Sequence, residues 1–127
     1  MNNVSKLQSA MLEYEQVDIK TRHQFTDGCY AREITIPAGV LLVGAKHLTE
    51  HFFVISKGKI MINNGVVLEA PYTGITLPGT KRAIEALEET VMTTFHVTRE
   101  TNIEEIEKAI IDPEGLKIAN NPKEALL

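Results

Sequence analysis

Three histidines and one carboxylate are the side chains best suited to chemistry in this sequence. His47 and His51 lie four residues apart with Glu50 between them, and His96 follows much later. Three protein ligands with one open position form a common catalytic metal site, and imidazole is a good ligand for such metals. We therefore predict a site for Zn, Fe, Ni or Mn made by His47, His51 and His96. The alternative is that one or more of these histidines is a hydrogen-bonded residue of the core or its rim.

Glu50 has two interpretations of its own. It can act as a general acid or base, or it can orient a neighbouring imidazole by accepting its ring proton. It can equally be an exposed carboxylate of a loop between two apolar segments. The spacing of Glu50 from the two histidines allows either role, so both stay open until the fold is known.

A second set of polar residues predicts a ligand pocket. Tyr30 and Arg32 alternate with small or polar residues in a strand-like segment, and Arg82 follows a Pro-Gly turn. Guanidinium groups bind carboxylates and phosphates through paired hydrogen bonds, so an anionic small molecule is the expected ligand. The alternative is a solvated surface charge, with Arg82 paired to Glu50 or Glu85. The predicted ligand-binding residues are Tyr30, Arg32, His47, His51, Arg82 and His96.

The composition limits the partners. The chain has 127 residues and a formal net charge of −4, which argues against a nucleic-acid surface. No apolar run approaches the ~20 residues that a membrane-spanning helix needs. The lone cysteine, Cys29, excludes an internal disulfide and suits a reducing compartment. We expect a cytoplasmic protein with neither nucleic-acid nor membrane partners.

Two helices are predicted at the ends of the chain. Ser5 to Gln8 has the form of a capping box and opens an amphipathic helix over residues 5–16. Thr101 to Glu104 is a second capping box, before a helix over residues 102–111. Residues 112–127 show weak periodicity and are expected to form a loosely held tail.

Between the helices the sequence predicts β-structure. Short apolar or alternating segments are separated by Gly, Pro and Asn turns, among them Asn63 to Gly65. Residues 81–87 and 91–98 are expected to form a last hairpin. About eight short strands at this spacing predict a single jelly-roll barrel over residues 22–98.

Several of these segments resemble the cupin superfamily, most closely the small cupin-like proteins of tailed phages and prophages. The resemblance is carried by IPAG at 36–39, TEH at 49–51, SKG at 56–58, APYTGITLPGTKR at 70–82 and TTFH at 93–96. It implies a double-stranded β-helix fold and, if the chain is phage-encoded, action in the host cytoplasm.

The resemblance also has consequences for a metal site. When Gly58 is matched to the last glycine of the first cupin motif, the two histidine positions fall on Ala45 and His47. The glutamate position falls on His51, and the histidine of the second motif falls on Arg82. Alanine cannot bind a metal, and arginine places a positive charge where the cation would lie.

Three functions remain open from the sequence. The first is a non-enzymatic cupin-like protein that binds, and in a phage sequesters, an anionic host metabolite or nucleotide. The second is a metal-dependent enzyme of the isomerase, dioxygenase or lyase type that uses His47, His51 and His96. The third is a structural or accessory phage protein.

Assembly is the last expectation. The amphipathic N-terminal helix and the exposed strand edges both need cover, and a symmetric dimer is the commonest solution. We therefore expect a homodimer or a higher homo-oligomer.

Overall fold

A computed structural model describes residues 3–63, 65–112 and 118–126. In chain order, nine strands lie between the first helix, α1, and the second helix, α2, and a tenth strand follows α2. A 3₁₀ turn at Lys123–Leu126 ends the described chain. The elements are α1 Asn3–Met11, β1 Lys20–Thr26, β2 Cys29–Ile36, β3 Val40–Val43, β4 His51–Lys57, β5 Lys59–Ile62, β6 Val66–Glu69, β7 Tyr72–Thr76, β8 Ala83–Ala86, β9 Thr90–Val97, α2 Ile103–Ile110 and β10 Ala119–Pro122.

The strands form two antiparallel sheets of five. The first sheet has the order β1-β2-β9-β4-β7, and the second has the order β10-β3-β8-β5-β6. Most strands that follow each other in the chain therefore lie in different sheets, which is the crossing pattern of a jelly roll. The predicted β-class and jelly-roll fold are confirmed. The protein has no helix among its described residues that is long and apolar enough to cross a bilayer.

The core lies between the two sheets. Alternate residues of each strand point inward, so strands with one buried face show a period of two in their burial. At Gly74 on β7 an added Cβ would lie 2.5 Å from the Phe53 ring, so that ring occupies the space of a side chain. The buried core residues are Ile34, Ile36, Val40, Leu42, Phe53, Ile55, Ile60, Ile84, Ala86 and Met92.

Both helices differ from their predicted bounds. Ser5 does not cap α1, because the helix already includes Asn3, and Gln8 is buried with its amide donating to the Val43 carbonyl (3.4 Å). The helix ends at Met11 instead of residue 16, and the side-chain amide of Gln16 donates to the Met11 carbonyl (2.8 Å). The turn that follows directs the chain toward β1.

The second capping box is displaced by one residue. Asn102, not Thr101, is the N-cap of α2, and its side chain accepts a hydrogen bond from the Glu105 amide (3.1 Å). The helix spans Ile103–Ile110, one residue shorter at each end than predicted.

The last predicted hairpin is wrong. β8 pairs with β3 and β5 in the second sheet, whereas β9 pairs with β2 and β4 in the first. The chain crosses from one sheet to the other at Leu87–Glu89, so these strands face each other across the core. The hairpin of β5 and β6 is present, although Asn64 of its predicted turn lies outside the described residues.

The loosely held tail is also wrong where the structure describes it. β10 pairs with β3, and Ala119 and Asn121 are fully buried. Ala119 packs with Met11 of α1 and Val43, so the N-terminal helix docks on the barrel of its own chain. The sequence Ala-Asn-Asn-Pro gives no apolar period because one of its buried positions holds Asn121, whose side-chain amide donates to the Glu15 carbonyl.

We predict that Asn121 contributes to stability. Its buried amide donates to the Glu15 carbonyl (2.9 Å), so Asn121→Ala should lower the free energy of unfolding by about 1–3 kcal/mol. Lys57→Ala is the control, since it removes only an exposed ion pair with Glu89 and should cost at most about 1 kcal/mol. Urea denaturation measures both. Equal, negligible losses would mean that the segment is a loose tail after all.

Candidate functional site

The three predicted histidines lie together between the sheets. His51 is the first residue of β4, His96 lies on β9, and His47 precedes β4 in the connection from β3. The ring centroids of His47 and His51 are 4.7 Å apart, and those of His51 and His96 are 4.4 Å apart. We call these three residues the histidine cluster.

Strand register explains why the cluster forms. β4 and β9 pair Phe52 with Phe95, so His51 and His96 occupy the next position along the two strands. In the same row Tyr30 of β2 pairs with His96, and Thr76 of β7 pairs with His51. All four side chains point inward, because they share one phase of the alternation.

The cluster is electrically neutral at pH 7. Burial, reinforced by the neighbouring His51 and by arginine charge, lowers the pKa of His47 to about 4. Burial, followed by the charges of His51 and His47, likewise lowers the pKa of His96 to about 4. Burial also lowers the pKa of His51, against a raising effect from its hydrogen bond to Thr49. The histidines therefore add no positive charge near neutral pH.

Each ring of the cluster has one buried nitrogen with no hydrogen-bond partner within the described residues. Nδ1 of His51 donates to the Thr49 carbonyl (3.0 Å), which leaves Nε2 as a bare lone pair. Nε2 of His96 bonds the Thr94 hydroxyl (2.9 Å), and its Nδ1 is without a partner, as is Nδ1 of His47. Buried polar atoms are seldom left unpaired, so these nitrogens are suited to contact a bound species.

Neutral imidazole nitrogens are chemically suitable metal donors. Across residues 3–63, 65–112 and 118–126, however, no group of three or more His, Cys, Asp or Glu side chains is placed to hold a metal ion. The cationic Arg82 lines the same space and contributes to lowering the pKa of His47 and His51. The three-histidine metal site therefore stays a prediction, and the positive charge of Arg82 opposes a cation there.

A cavity of about 290 Å³ lies beside the cluster. His47 and His96 line it, whereas His51 contacts both rings from behind and is not part of the wall. The wall combines aliphatic and polar side chains. Its charged side chains are Asp18, Arg32, Arg82 and Glu107, and its other polar side chains include Tyr30, Thr76 and Thr94.

Arg82 is held firmly at the wall. Its Nη1 donates to the Thr76 hydroxyl (2.7 Å), and its guanidinium carbon lies 4.9 Å from the centre of the Phe53 ring. Glu85 pairs with Lys123 instead, so the alternative of an Arg82–Glu85 surface pair is wrong. Burial lowers the pKa of Arg82, but a guanidinium stays charged at pH 7.

The second helix closes one side of the cavity. Ile106 and Ile110 of α2 pack on Tyr30, and Glu107 and Ile110 reach the cavity wall. A β-bridge between His47 and Ile111 fixes the end of the helix to the histidine cluster. The fold thus uses α2 as a cover for the barrel interior.

Glu50 does not take part in this site. It is exposed and is not among the residues that line the cavity, so the structure gives the hypothesised acid–base role no support and that role stays a prediction. Sequence reasoning missed His23, whose Nδ1 lies 2.5 Å from the Tyr30 hydroxyl, and Glu107. The β1–β2 pairing would have indicated His23, because its alternation with Phe25 puts it on the face of Tyr30.

Known structures share this architecture. The fold is similar to an acetylacetone dioxygenase from Acinetobacter johnsonii at 16% identity over 62% of this chain, with a TM-score of 0.52. That match spans 59% of the dioxygenase chain, less than two thirds of its length. A cupin superfamily protein from Desulfitobacterium hafniense matches 66% of this chain and 81% of its own at 10% identity, with a TM-score of 0.54.

A cupin domain from Schizosaccharomyces pombe matches 82% of this chain and 76% of its own at 20% identity, with a TM-score of 0.53. The chain has the cupin fold. No protein-family model matches the sequence, and no curated protein is significantly similar to it. Ala45 and Arg82, which stand where the cupin motifs have histidine ligands, both lie in the cavity wall.

We predict an acid-dependent loss of stability that comes from the cluster. The pKa of His47 and of His96 is about 4 in the folded protein and has the ordinary value of 6.5 in the unfolded chain. Between pH 6.5 and 4, therefore, these two imidazoles are protonated only in the unfolded chain. The free energy of unfolding should therefore fall as the pH drops from about 6.5 to 4. Urea denaturation at several pH values should show a flatter dependence for the His47→Gln/His96→Gln variant. An equal pH dependence of the free energy of unfolding in the wild type and the variant would show that the cluster is not neutral.

Proposed function

We propose that the protein binds a small anionic organic molecule in the cavity between its sheets. The observation that carries this proposal is the presence in the cavity wall of two guanidinium groups, Arg32 and Arg82, neither of which forms an ion pair with a described residue. A partly buried cation without an ion-pair partner is costly, and an anionic ligand supplies that partner. The expected anionic ligand thus stays as the leading interpretation.

The hydrogen-bonding capacity of the wall supports the same proposal. The guanidinium of Arg82 donates one hydrogen bond to the Thr76 hydroxyl and forms no other hydrogen bond with a described residue. Arg32 has no hydrogen bond or ion pair with any described residue. Both groups therefore have donors left for a carboxylate or phosphate.

The anion is expected to carry a second polar group. Nδ1 of His47 and Nδ1 of His96 are buried without partners among the described residues and belong to side chains of the wall. Glu107 and Asp18 supply carboxylates that accept hydrogen bonds from a hydroxyl or ammonium group. A hydroxy acid or amino acid therefore matches the wall better than a simple carboxylate.

The histidines contribute hydrogen bonds to this proposal and not positive charge. An imidazole with an ordinary pKa near ~6.5 would become cationic as the pH falls through that range. With pKa values near 4, His47 and His96 act as neutral hydrogen-bonding groups, and the arginines supply the charge. Affinity for the anion should then change little between pH 8 and 6, because groups with such pKa values do not change their charge over that range.

The size of the cavity favours a metabolite over a nucleotide. Its volume of about 290 Å³ lies at the lower end of the ~300–1,000 Å³ that is typical of ligand pockets. The proposal retains action in the cytoplasm, which the lone cysteine supports, and a phage origin stays an expectation from the sequence resemblance alone.

A metal-dependent enzyme is the second candidate. It is favoured by the three buried ring nitrogens, each from a neutral imidazole, and by the similarity in fold to a dioxygenase. A bound divalent metal would supply Lewis-acid or redox chemistry. His47, His51 and His96 are the residues that would have to rearrange in order to hold it.

Calorimetry with L-malate and succinate tests the leading proposal. These two dicarboxylates differ only by one hydroxyl group, so malate should bind more tightly than succinate. Arg82→Met should weaken malate binding by about ten- to hundredfold, because it removes charge-assisted hydrogen bonds. Arg22→Met is the matched control, since Arg22 pairs with Glu33 on the surface and should leave binding unchanged.

The same variants separate the two candidates. Failure of both acids to bind, or equal binding by wild type and Arg82→Met, would contradict the anion proposal. If Ni²⁺ or Zn²⁺ instead binds stoichiometrically, is lost on His96→Gln and is unaffected by Arg82→Met, the metal-dependent reading replaces it.

A further inference from the structure

The two arginines of the cavity wall are attached to different sheets. Arg32 lies on β2 of the first sheet, in the same inward phase as the buried Tyr30 and Ile34. Arg82 directly precedes β8 of the second sheet, and its side chain reaches the first sheet. There its Nη1 donates to the Thr76 hydroxyl at the end of β7 (2.7 Å). The cavity therefore receives its positive charge from two separate parts of the chain.

The strand order places these two arginines toward different ends of the cavity. β9 and β4 lie between β2 and β7 in the first sheet, so β2 and β7 are three strand spacings apart, or about 14 Å. The guanidinium carbon of Arg82 lies 4.9 Å from the centre of the Phe53 ring on β4. Arg32 pairs with Thr94 of β9, and Thr94 pairs with Phe53, so Arg32 is attached two strands away from that ring. Arg82 is thus held at the β4–β7 end, whereas Arg32 enters from the β2 end.

The electrostatic effects on the histidine cluster agree with this separation. Burial is the largest cause of the lowered pKa of His51 on β4, and Arg82 is the arginine whose charge adds to it. Burial is also the largest cause of the lowered pKa of His96 on β9, where the contributing arginine is Arg32. The pKa of His47, again lowered mainly by burial, is affected by both charges. The two guanidinium groups therefore act on opposite sides of the cluster.

Neither guanidinium has a counter-charge in the part of the chain that the structure describes. Arg32 forms no ion pair with a described residue, and Arg82 has only the hydroxyl of Thr76. The two carboxylates of the wall, Asp18 and Glu107, are exposed and likewise form no ion pair with a described residue. A single carboxylate of a ligand reaches only one end of the cavity, so two anionic groups are needed to compensate both arginines.

We propose that the ligand is a short dicarboxylate that lies lengthwise in the cavity, with one carboxylate on Arg32 and the other on Arg82. This inference rests on the anion-binding function proposed above and names the class of anion. A guanidinium binds a carboxylate through two parallel hydrogen bonds, so each end of the ligand is recognised separately. The cavity volume of about 290 Å³ lies at the lower end of ligand pockets, which limits the carbon chain to a short one.

The wall between the two arginines suits the middle of such a molecule. His96 lies on β9, the strand between β2 and β4, and its Nδ1 is buried without a partner among the described residues. This nitrogen is placed to contact a hydroxyl group on the carbon chain. Leu42 and Ile84 pair with each other in the second sheet, line the same cavity and are buried, so they offer apolar contacts to methylene groups.

Calorimetry with L-malate and L-2-hydroxybutanoate tests the dicarboxylate inference. The second acid keeps the hydroxyl and the neighbouring carboxylate of malate but ends in a methyl group, so it should bind about ten- to hundredfold more weakly. Arg32→Met and Arg82→Met should each weaken malate binding by a similar factor. The monoacid occupies one end only, so at most one of these two variants should weaken its binding. Arg99→Met is the matched control, because Arg99 pairs with Asp27 on the surface and should leave both affinities unchanged.

Three results would overturn the inference and leave the anion proposal standing. They are equal affinity of the wild type for the two acids, unchanged malate binding by Arg32→Met, and equal weakening of the monoacid by both arginine variants, which would mean that the arginines share one carboxylate. If neither acid binds the wild type, the anion proposal itself fails and the dicarboxylate inference fails with it. If circular dichroism shows that an arginine variant does not fold, the comparison of the two acids on the wild type decides alone.

Discussion

Burial of three imidazoles in a neutral state is the constraint on which the interior of this protein depends. A protonated histidine beside Arg82 would add a second cation to a space of low polarity, at a large cost in free energy. The fold avoids that cost by keeping the rings close together and away from water. It confines the positive charge of the cavity to guanidinium groups, one of which is held by Thr76 and the Phe53 ring.

The two sheets contribute different kinds of side chain to this interior. The first sheet supplies a row of polar inward side chains across neighbouring strands, from Tyr30 through His96 to Thr76. The second sheet supplies aliphatic residues and, from the segment just before β8, Arg82. Helix α2 packs on Tyr30, and Ile111 at its end forms a β-bridge with His47. The helix thus covers the polar row with apolar side chains, which need no hydrogen-bond partners. What remains is a small cavity lined by both aliphatic and polar side chains, and placed polar groups of this kind let a site select a ligand by charge and hydrogen bonding.

The sequence predicts the strands well because alternation and turn residues are local signals. β3, β5 and β6 coincide with short, mostly apolar segments that Gly, Pro or Asn turns separate, and His51 and His96 converge because they hold inward positions on paired strands. The separation of β8 and β9 into different sheets was not predictable in this way, since two strands near in sequence can either pair as a hairpin or lie in different sheets. β10 was missed because Asn121 is buried through hydrogen bonds and not through hydrophobicity. The exposure of Glu50 and the contribution of Glu107 depend on loop and helix placement, which the local pattern does not contain.

Titration of the histidine rings by NMR, with ¹⁵N label in the imidazoles, tests the neutral interior most directly. The ¹⁵N shifts report both the charge of each ring and the nitrogen that carries the proton. The structure predicts that His47 and His96 remain neutral until the pH approaches about 4 and that His51 carries its proton on Nδ1 at pH 7. Titration of His47 or His96 near the ordinary value of 6.5 would contradict the account, because a charged ring would then share the cavity wall with Arg82 under physiological conditions.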